Sequence, residues 1–222
     1  MDAFISYSNK DRKMAHATKS ALDDFGVTGF LAHEDLQISE EWRDAIIEKL
    51  GIAKIFVALL SADFKASEWC PQEIGFAVAR PEVLIIPLSL DGTVPFGFIS
   101  KLQSKRVRAA EDIPALLRDV LLKKRPRIAI PACIKQVEDA GSYRGAEAVV
   151  SPLVPYFASF TKDEVMGFLA ATLGNSQVWD AALCKTEYLP AFARQHWAII
   201  PKKVRRDLLT KLEMKEREIA AA

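Results

Sequence analysis

A chain of 222 residues, half of them hydrophobic and 27% charged, has apolar material for one large domain, or for one of ordinary size plus a smaller one. Thirty Lys and Arg against 29 Asp and Glu leave a net charge of +1, so there is no global electrostatic case for nucleic acid or an acidic membrane as partner. Three scattered cysteines, Cys70, Cys133 and Cys184, fit neither a metal spacing nor a disulfide framework and read as reduced thiols of a cytoplasmic protein. No signal peptide opens the sequence, and no apolar run reaches the about 18 residues that span a bilayer.

Asp2–Ser8, DAFISYS, is a short apolar run ending in a polar loop, and it predicts a first strand. Asp11–Gly26 carries Met14, Ala17, Ala21, Leu22 and Phe25 near helical spacing, with Gly26 as a stop. Thr28–Glu34 predicts a second strand. A second helix follows, N-capped by Ser39, with acids in its first turn and Trp42, Ile46 and Leu50 on one face. Ala53–Ser61 is apolar almost throughout, the pattern of a strand covered on both faces. The third helix, SEWCPQEIGFAVA, opens at an N-cap Ser67 and tolerates Pro71 because that residue falls in the first turn. Glu82–Leu90 predicts a fourth strand. A turn-rich DGTVPFGF then leads to a short fifth strand near Arg106–Ala109 and a helix over 111–124. Five β-α repeats in about 125 residues predict an open, doubly wound α/β sheet.

Beyond residue 125 the pattern changes. Pro126, Pro131, Pro152 and Pro155 mark 126–157 as a connector with one short helix. Thr161 and Glu164 make a capping box ahead of a stripe of Val165, Phe168, Leu169, Thr172 and Leu173. Further helices are expected at 176–184, 186–196 and 202–218, so residues 158–222 read as a helical C-terminal domain. His16 and His196 read as helix residues without partners.

In open α/β sheets, ligands bind beyond the carboxyl ends of the strands. Tyr7–Asp11, His33–Ser39, Ser61–Phe64 and the Trp69/Glu73 face of the third helix converge there. Four-residue spacing puts Trp69 and Glu73 on one helix face. The first loop, SYSNKD, has neither G-x-G-x-x-G nor G-K-[ST], which excludes an ordinary dinucleotide-binding dehydrogenase and a P-loop enzyme. From spacing alone, Glu73 is either a solvated helix residue or a site acid. Trp69 is a core anchor or a pocket wall, and Tyr7 lines a pocket mouth or packs. Ser8 and Asp11 are caps of the first helix or ligands. His33, Glu34 and Asp35 form a polar cluster with no second ligand pair, so no metal site is expected. Cys70 lacks a nearby His or Lys and reads as a buried thiol. The basic run Lys101–Arg108 reads as a solvated edge. PKKVRRDLLTKLEMK reads as an amphipathic surface helix, because its acids and bases alternate.

DAFISYSNKD, GFLAHEDLQIS, AKIFVALLSADFKASEWCPQEIGFA and VLIIPLSLDG fall in the order and at the spacing of a Toll/interleukin-1 receptor (TIR) domain, which the chain resembles over residues 1–125. The resemblance implies a flavodoxin-like fold with a parallel five-stranded sheet, here followed by the smaller α-helical domain. It also implies an activity. Many TIR domains of bacteria, plants and animal axons cleave NAD+ between nicotinamide and ribose, using a glutamate on the third helix in a W-C-x-x-E context. Carried over, Glu73 is the catalytic residue and Trp69 the matching aromatic. Tyr7, Ser8, His33, Leu36 and Asp63 complete the substrate-binding set. NAD+ is then a substrate rather than a recycled cofactor. Water as acceptor gives ADP-ribose. The substrate's own adenine or ribose gives a cyclic ADP-ribose, a signal that reaches a downstream effector in bacterial antiphage immunity. Other TIR protomers are the expected protein partners, because family sites are completed across protomers. Neither nucleic acid nor membrane is expected. Two positions depart from many relatives: Ala32 stands where they carry an acid, and DLQIS lacks their glycine around Ser39. The alternative reading is a non-enzymatic scaffold that recruits other TIR domains.

Overall fold

The computed structural model describes residues 1–31 and 42–220. Its five strands are β1 (Asp2–Ser6), β2 (Thr28–Leu31), β3 (Ile55–Leu60), β4 (Leu84–Ser89) and β5 (Lys105–Arg106). They form one sheet in the order β2-β1-β3-β4-β5, and every pairing is parallel. Helices α1 (Arg12–Asp23), α2 (Trp42–Ile52), α3 (Ala62–Ala66), α4 (Cys70–Val78) and α5 (Ile113–Lys124) connect and follow the strands. This is the flavodoxin-like arrangement expected from the β-α alternation. The strand order reverses between β1 and β3, so the switch point of the sheet lies where those two strands end.

Strand β3 is buried at every residue, as its unbroken apolar run requires. Period-two alternation sends Phe4, Phe56, Ala58 and Leu60 to one face, against Ile46 and Leu50 of α2, Phe64 of α3, and Cys70, Ile74 and Ala77 of α4. Phe4 and Phe56 are register partners and stack nearly parallel at 5.8 Å. Each fully buried large apolar side chain there contributes roughly 1.5–3 kcal/mol. The same register puts Ser6 beside the small Ala58. On the other side of β1, a Cβ on Gly29 would lie 3.1 Å from both Ile5 Cδ1 and Lys19 Cγ, so the absence of a side chain lets α1 press onto β2.

Several boundaries differ from expectation. Strand β5 is two residues long and starts one residue early. Ser61–Phe64, read as loop, opens α3, because the Ser61 hydroxyl accepts from the Phe64 N–H at 3.0 Å and caps the turn. The predicted end of β2, the Ser39 cap and the Trp42 side chain lie outside the described residues.

The chain divides into Met1–Val120 and Leu121–Ala222. The second unit is helical throughout its described length. It contains α6 (Pro126–Glu138), α7 (Tyr143–Val150), α8 (Lys162–Gly174), α9 (Ser176–Trp179), α10 (Leu189–His196), α11 (Lys202–Leu212) and α12 (Glu216–Ala220). The stretch 126–157 is therefore not a connector: it folds into α6, α7 and a 3-10 run over Ser151–Ser159. Its prolines mislead as breakers. Pro126 and Pro152 occupy first turns, where no N–H is needed. Pro131 sits inside α6, whose buried stripe of Ala129, Ile130, Cys133 and Val137 outweighs the missing bond.

Helix α8 begins at the predicted capping box, with Thr161 N donating to Glu164 Oε2 at 2.7 Å and Glu164 N to Thr161 Oγ1 at 3.2 Å. Its Phe168 joins Phe157, Phe160 and Phe192 in an aromatic core with ring centroids 4.4 to 5.9 Å apart. Neither histidine is without a partner, and His196 Nε2 lies 2.9 Å from the Phe157 carbonyl. The helix expected over 202–218 breaks at Glu213, which adopts φ 56° and closes α11 through a Met214 N–H to Leu209 carbonyl bond. Lys185 pairs with the Glu213 carboxylate at 2.8 Å.

Asn175 joins two helices of this unit. Its Nδ2 donates to the carbonyls of Glu138 and Ala140 at 3.0 and 2.9 Å, and more distantly to Val137 at 3.3 Å. Its Oδ1 accepts from Gln177 N at 2.9 Å, capping α9. Asn175→Asp keeps the cap on α9 but places a carboxylate against the carbonyl end of α6. The substitution is expected to cost about 2 kcal/mol. The readout is faster amide hydrogen exchange in α6 and α9 of the full chain.

Candidate functional site

Glu73 is positioned by the start of α4. The Ser67 hydroxyl accepts from the N–H groups of Trp69 and Cys70 at 3.2 and 3.3 Å, so the predicted cap residue satisfies two first-turn donors although the helix itself begins at Cys70. Pro71 falls in the first turn, as expected. Glu73 N donates to the Trp69 carbonyl at 3.0 Å, which places the indole and the carboxyl one turn apart. Trp69 is half-buried.

The carboxyl of Glu73 is not a solvated surface group. The residue is 2% exposed. The Ser6 hydroxyl, at the carboxyl end of β1, donates to Glu73 Oε2. Among the described residues, Oε1 has no hydrogen-bond partner. Burial pushes the Glu73 carboxyl up to about 7, and the Ser6 hydrogen bond acts in the opposite direction. Cys70, one turn away on the same helix, is also buried. Desolvation pushes its thiol up to about 11, and its Sγ contacts the Tyr7 carbonyl at 3.5 Å. It is an inert thiol. Tyr7 is fully buried and packs in the core.

The first and third loops are tied together beside this acid. Of the two expectations for Ser8 and Asp11, caps or ligands, the cap is not made: neither side chain caps the first helix. Ser8 contributes its carbonyl, which accepts from Asp11 N at 2.7 Å. The Asp11 carboxylate turns away to accept from the Ser61 hydroxyl at 2.6 Å, because β3 ends alongside β1 and delivers Ser61 there. Burial raises the Asp11 carboxyl, the Ser61 bond opposes that shift, and Asp63 and Asp91 add repulsion. Asp63 pairs with Lys10 at 2.6 Å in an exposed ion pair. Hydrogen bonds from Thr93 and from the Ala62 N–H hold Asp91 down at about 2. Gly92 follows with φ 102°, and a Cβ there would come within 2.5 Å of the Arg106 guanidinium.

The structure thus brings Glu73, Trp69 and Tyr7 to one helix-strand junction, with Ser8 in the loop after β1 and Asp63 in the first turn of α3. His33 and Leu36 lie outside the described residues. A groove of about 480 Å3 beside α3 is lined by Ala62, Lys65, Thr93, Val94 and Phe96, and Glu73 is not among its walls. Among the described residues no cluster of His, Cys, Asp and Glu could hold a metal ion. Sequence reasoning placed Ser61 in a converging segment without its bond to Asp11, and it missed Ser6 and Asp91. Ser6 had a signal: alternation along β1 puts it on the face of Phe4, a lone hydroxyl at the end of an apolar row.

A carboxyl whose folded value is near 7, against an ordinary 4.5, favours the protonated form in the fold. The stability it contributes is fully present below about pH 4.5 and is lost as pH rises through about 7. The loss is on the order of 3 kcal/mol. Glu73→Gln keeps the acceptor for Ser6 and carries no charge. By calorimetry it is expected to melt above the wild type at pH 8 and level with it near pH 4.

A family model described as the TIR domain matches residues 3–121, a stretch that holds all five strands but for the first residue of β1, with Ser6 and Glu73. No curated protein matches the chain. No described helix is long and apolar enough to cross a membrane. The match covers more than half of the sequence and agrees with the five-stranded parallel sheet and its switch point, and the chain belongs to the TIR domain family.

Proposed function

We propose that this TIR domain cleaves NAD+ at the bond between nicotinamide and ribose, with Glu73 as the catalytic carboxylate. The observation that carries the reading is the placement of Glu73: a buried acid at the switch point of the sheet, one oxygen held and the other unpartnered among the described residues. A structural acid in a core is normally satisfied on both oxygens. One left open at a ligand-binding edge is suited to a charge that develops during a reaction.

In the reaction the C1′–N bond breaks and its electron pair goes to the nicotinamide nitrogen, which leaves neutral. Positive charge grows on the ribose, as in an oxocarbenium-like state. The ionised Glu73 stabilises that charge and accepts hydrogen bonds from the sugar hydroxyls. Water adds to C1′ and gives up a proton, yielding ADP-ribose. Attack by the substrate's own adenine or ribose gives a cyclic product. Trp69, half-buried one turn earlier, shields the acid or stacks on a ring. With 2% of its surface accessible, Glu73 meets a substrate only after part of its cover moves. Assembly with other TIR protomers is the event that supplies that movement, and a cyclic product would carry the signal to a downstream effector in antiphage defence.

The same closure favours a second reading. If the cover stays shut, Glu73 is a buried polar anchor and the domain acts as a scaffold for other TIR domains. Incubation of concentrated protein with NAD+ and chromatography of the products separates the two. Release of nicotinamide is expected, with a loss of at least a hundredfold in Glu73→Ala. Release should rise with pH through about 7, as Glu73 ionises. A mutant with full turnover would remove Glu73 from the reaction. An assembled sample that leaves NAD+ intact would make the scaffold the function.

A further inference from the structure

We propose that Ser6 is a positioning residue for Glu73, holding Oε2 so that Oε1 is the oxygen presented to the substrate. The inference rests on the nucleosidase reading and deepens it.

Ser6 sits where a donor can be held still. Strand β1 is paired on both sides, with Ile5 opposite Leu31 of β2 and Ser6 opposite Ala58 of β3. The residue is fully buried, so no bulk water competes for its hydroxyl. A serine hydroxyl has one proton to donate, and it goes to Glu73 Oε2. A carboxylate offers two oxygens, so this single bond makes the pair unequal. The held oxygen is less basic and fixed in direction. The other is left as the stronger acceptor.

A purely structural role explains this arrangement poorly. The surrounding face is apolar: Phe4, Phe56, Ala58, Cys70 and Ile74. An apolar pair at positions 6 and 73 would avoid burying a half-satisfied acid there. The sequence retains the costly pair at the switch-point edge, where open α/β sheets bind their ligands. Among the described residues, the Cys70 thiol of α4 lies near the acid; burial pushes it up to about 11, so it carries no charge near neutrality, and it contacts the Tyr7 carbonyl. Burial raises the Glu73 carboxyl and the Ser6 bond lowers it, and among the described residues no charged side chain of α2, α3 or the segment 97–99 adds to either. Ser6 is then, among the described residues, the neighbour that opposes the effect of burial.

The test uses the full chain with Ser6→Ala and Ser6→Thr, and two readouts. The first is direct titration of the Glu73 carboxyl by carbon NMR of glutamate-labelled protein, which needs no substrate. The second is the pH profile of nicotinamide release. In Ser6→Ala the carboxyl should titrate about one unit higher, and the acidic limb of the profile should move with it. Turnover should fall about tenfold or more while KM changes little, because Ser6 does not touch NAD+. Ser6→Thr keeps the hydroxyl and should restore both. An unchanged Glu73 titration in Ser6→Ala overturns the proposal, as does a loss of turnover that appears equally at every pH. If the wild type releases no nicotinamide while Ser6→Ala still shifts the carboxyl, the nucleosidase reading fails. Ser6 then only anchors Glu73, and its catalytic positioning role is overturned.

Discussion

A hydroxyl on the last residue of β1 meets a carboxyl on the first turns of α4, and both groups are out of water. That bond joins the sheet to the helix at the point where the strand order reverses. It is also the only polar tie recorded for the acid among the described residues. The described side chains that pack around it are apolar, so among them the acid is kept by geometry rather than by neighbouring charge. A buried carboxyl held by one neutral donor is poised between its two protonation forms near neutrality. Such poise is expensive in a core, and structures tolerate it mainly where chemistry uses it.

The rest of the TIR unit reads as support for that placement. The continuous apolar run of β3 allows helices on both faces. The stacked pair of Phe4 and Phe56 fixes the register that brings Ser6 beside Ala58. A larger residue at Ala58 would crowd the face on which Ser6 meets Glu73. Ser67 satisfies the opening N–H groups of α4, and Pro71 needs no donor, so the helix starts without borrowing a polar group from the site. The second unit is organised independently around four phenylalanines and His196.

How much of this could be read from the residues depended on which physical signal each one carried. Strand β3 was legible because burial on both faces leaves an unmistakable apolar run in a parallel sheet, whereas β5, two exposed basic residues, carries no such run and followed only from the β-α alternation. The W-C-x-x-E block was legible because helical spacing puts its ends on one face. The helices over 126–150 were not, since proline punctuates a sequence whether it lies in a first turn or an interior, and only the structure tells these apart. Ser6 was within reach of alternation along β1, but its partner is 67 residues away, and no local pattern announces a contact of that range. The Asp11–Ser61 bond was hidden for the same reason: a carboxylate before a helix reads as a cap until a neighbouring strand supplies a better donor. His33 and Leu36 remain expectations from the resemblance.

Ser61 uses its oxygen twice, accepting from the start of α3 while giving its proton to Asp11. Two loops from separate strands are thereby riveted through one atom, and Lys10 with Asp63 adds an outer clasp. This rim behaves as a fixed jaw. On the proposed function, a sugar would reach the acid by displacement on another side, and a ligand gripping the fixed jaw would feel β1 and β3 as a single body.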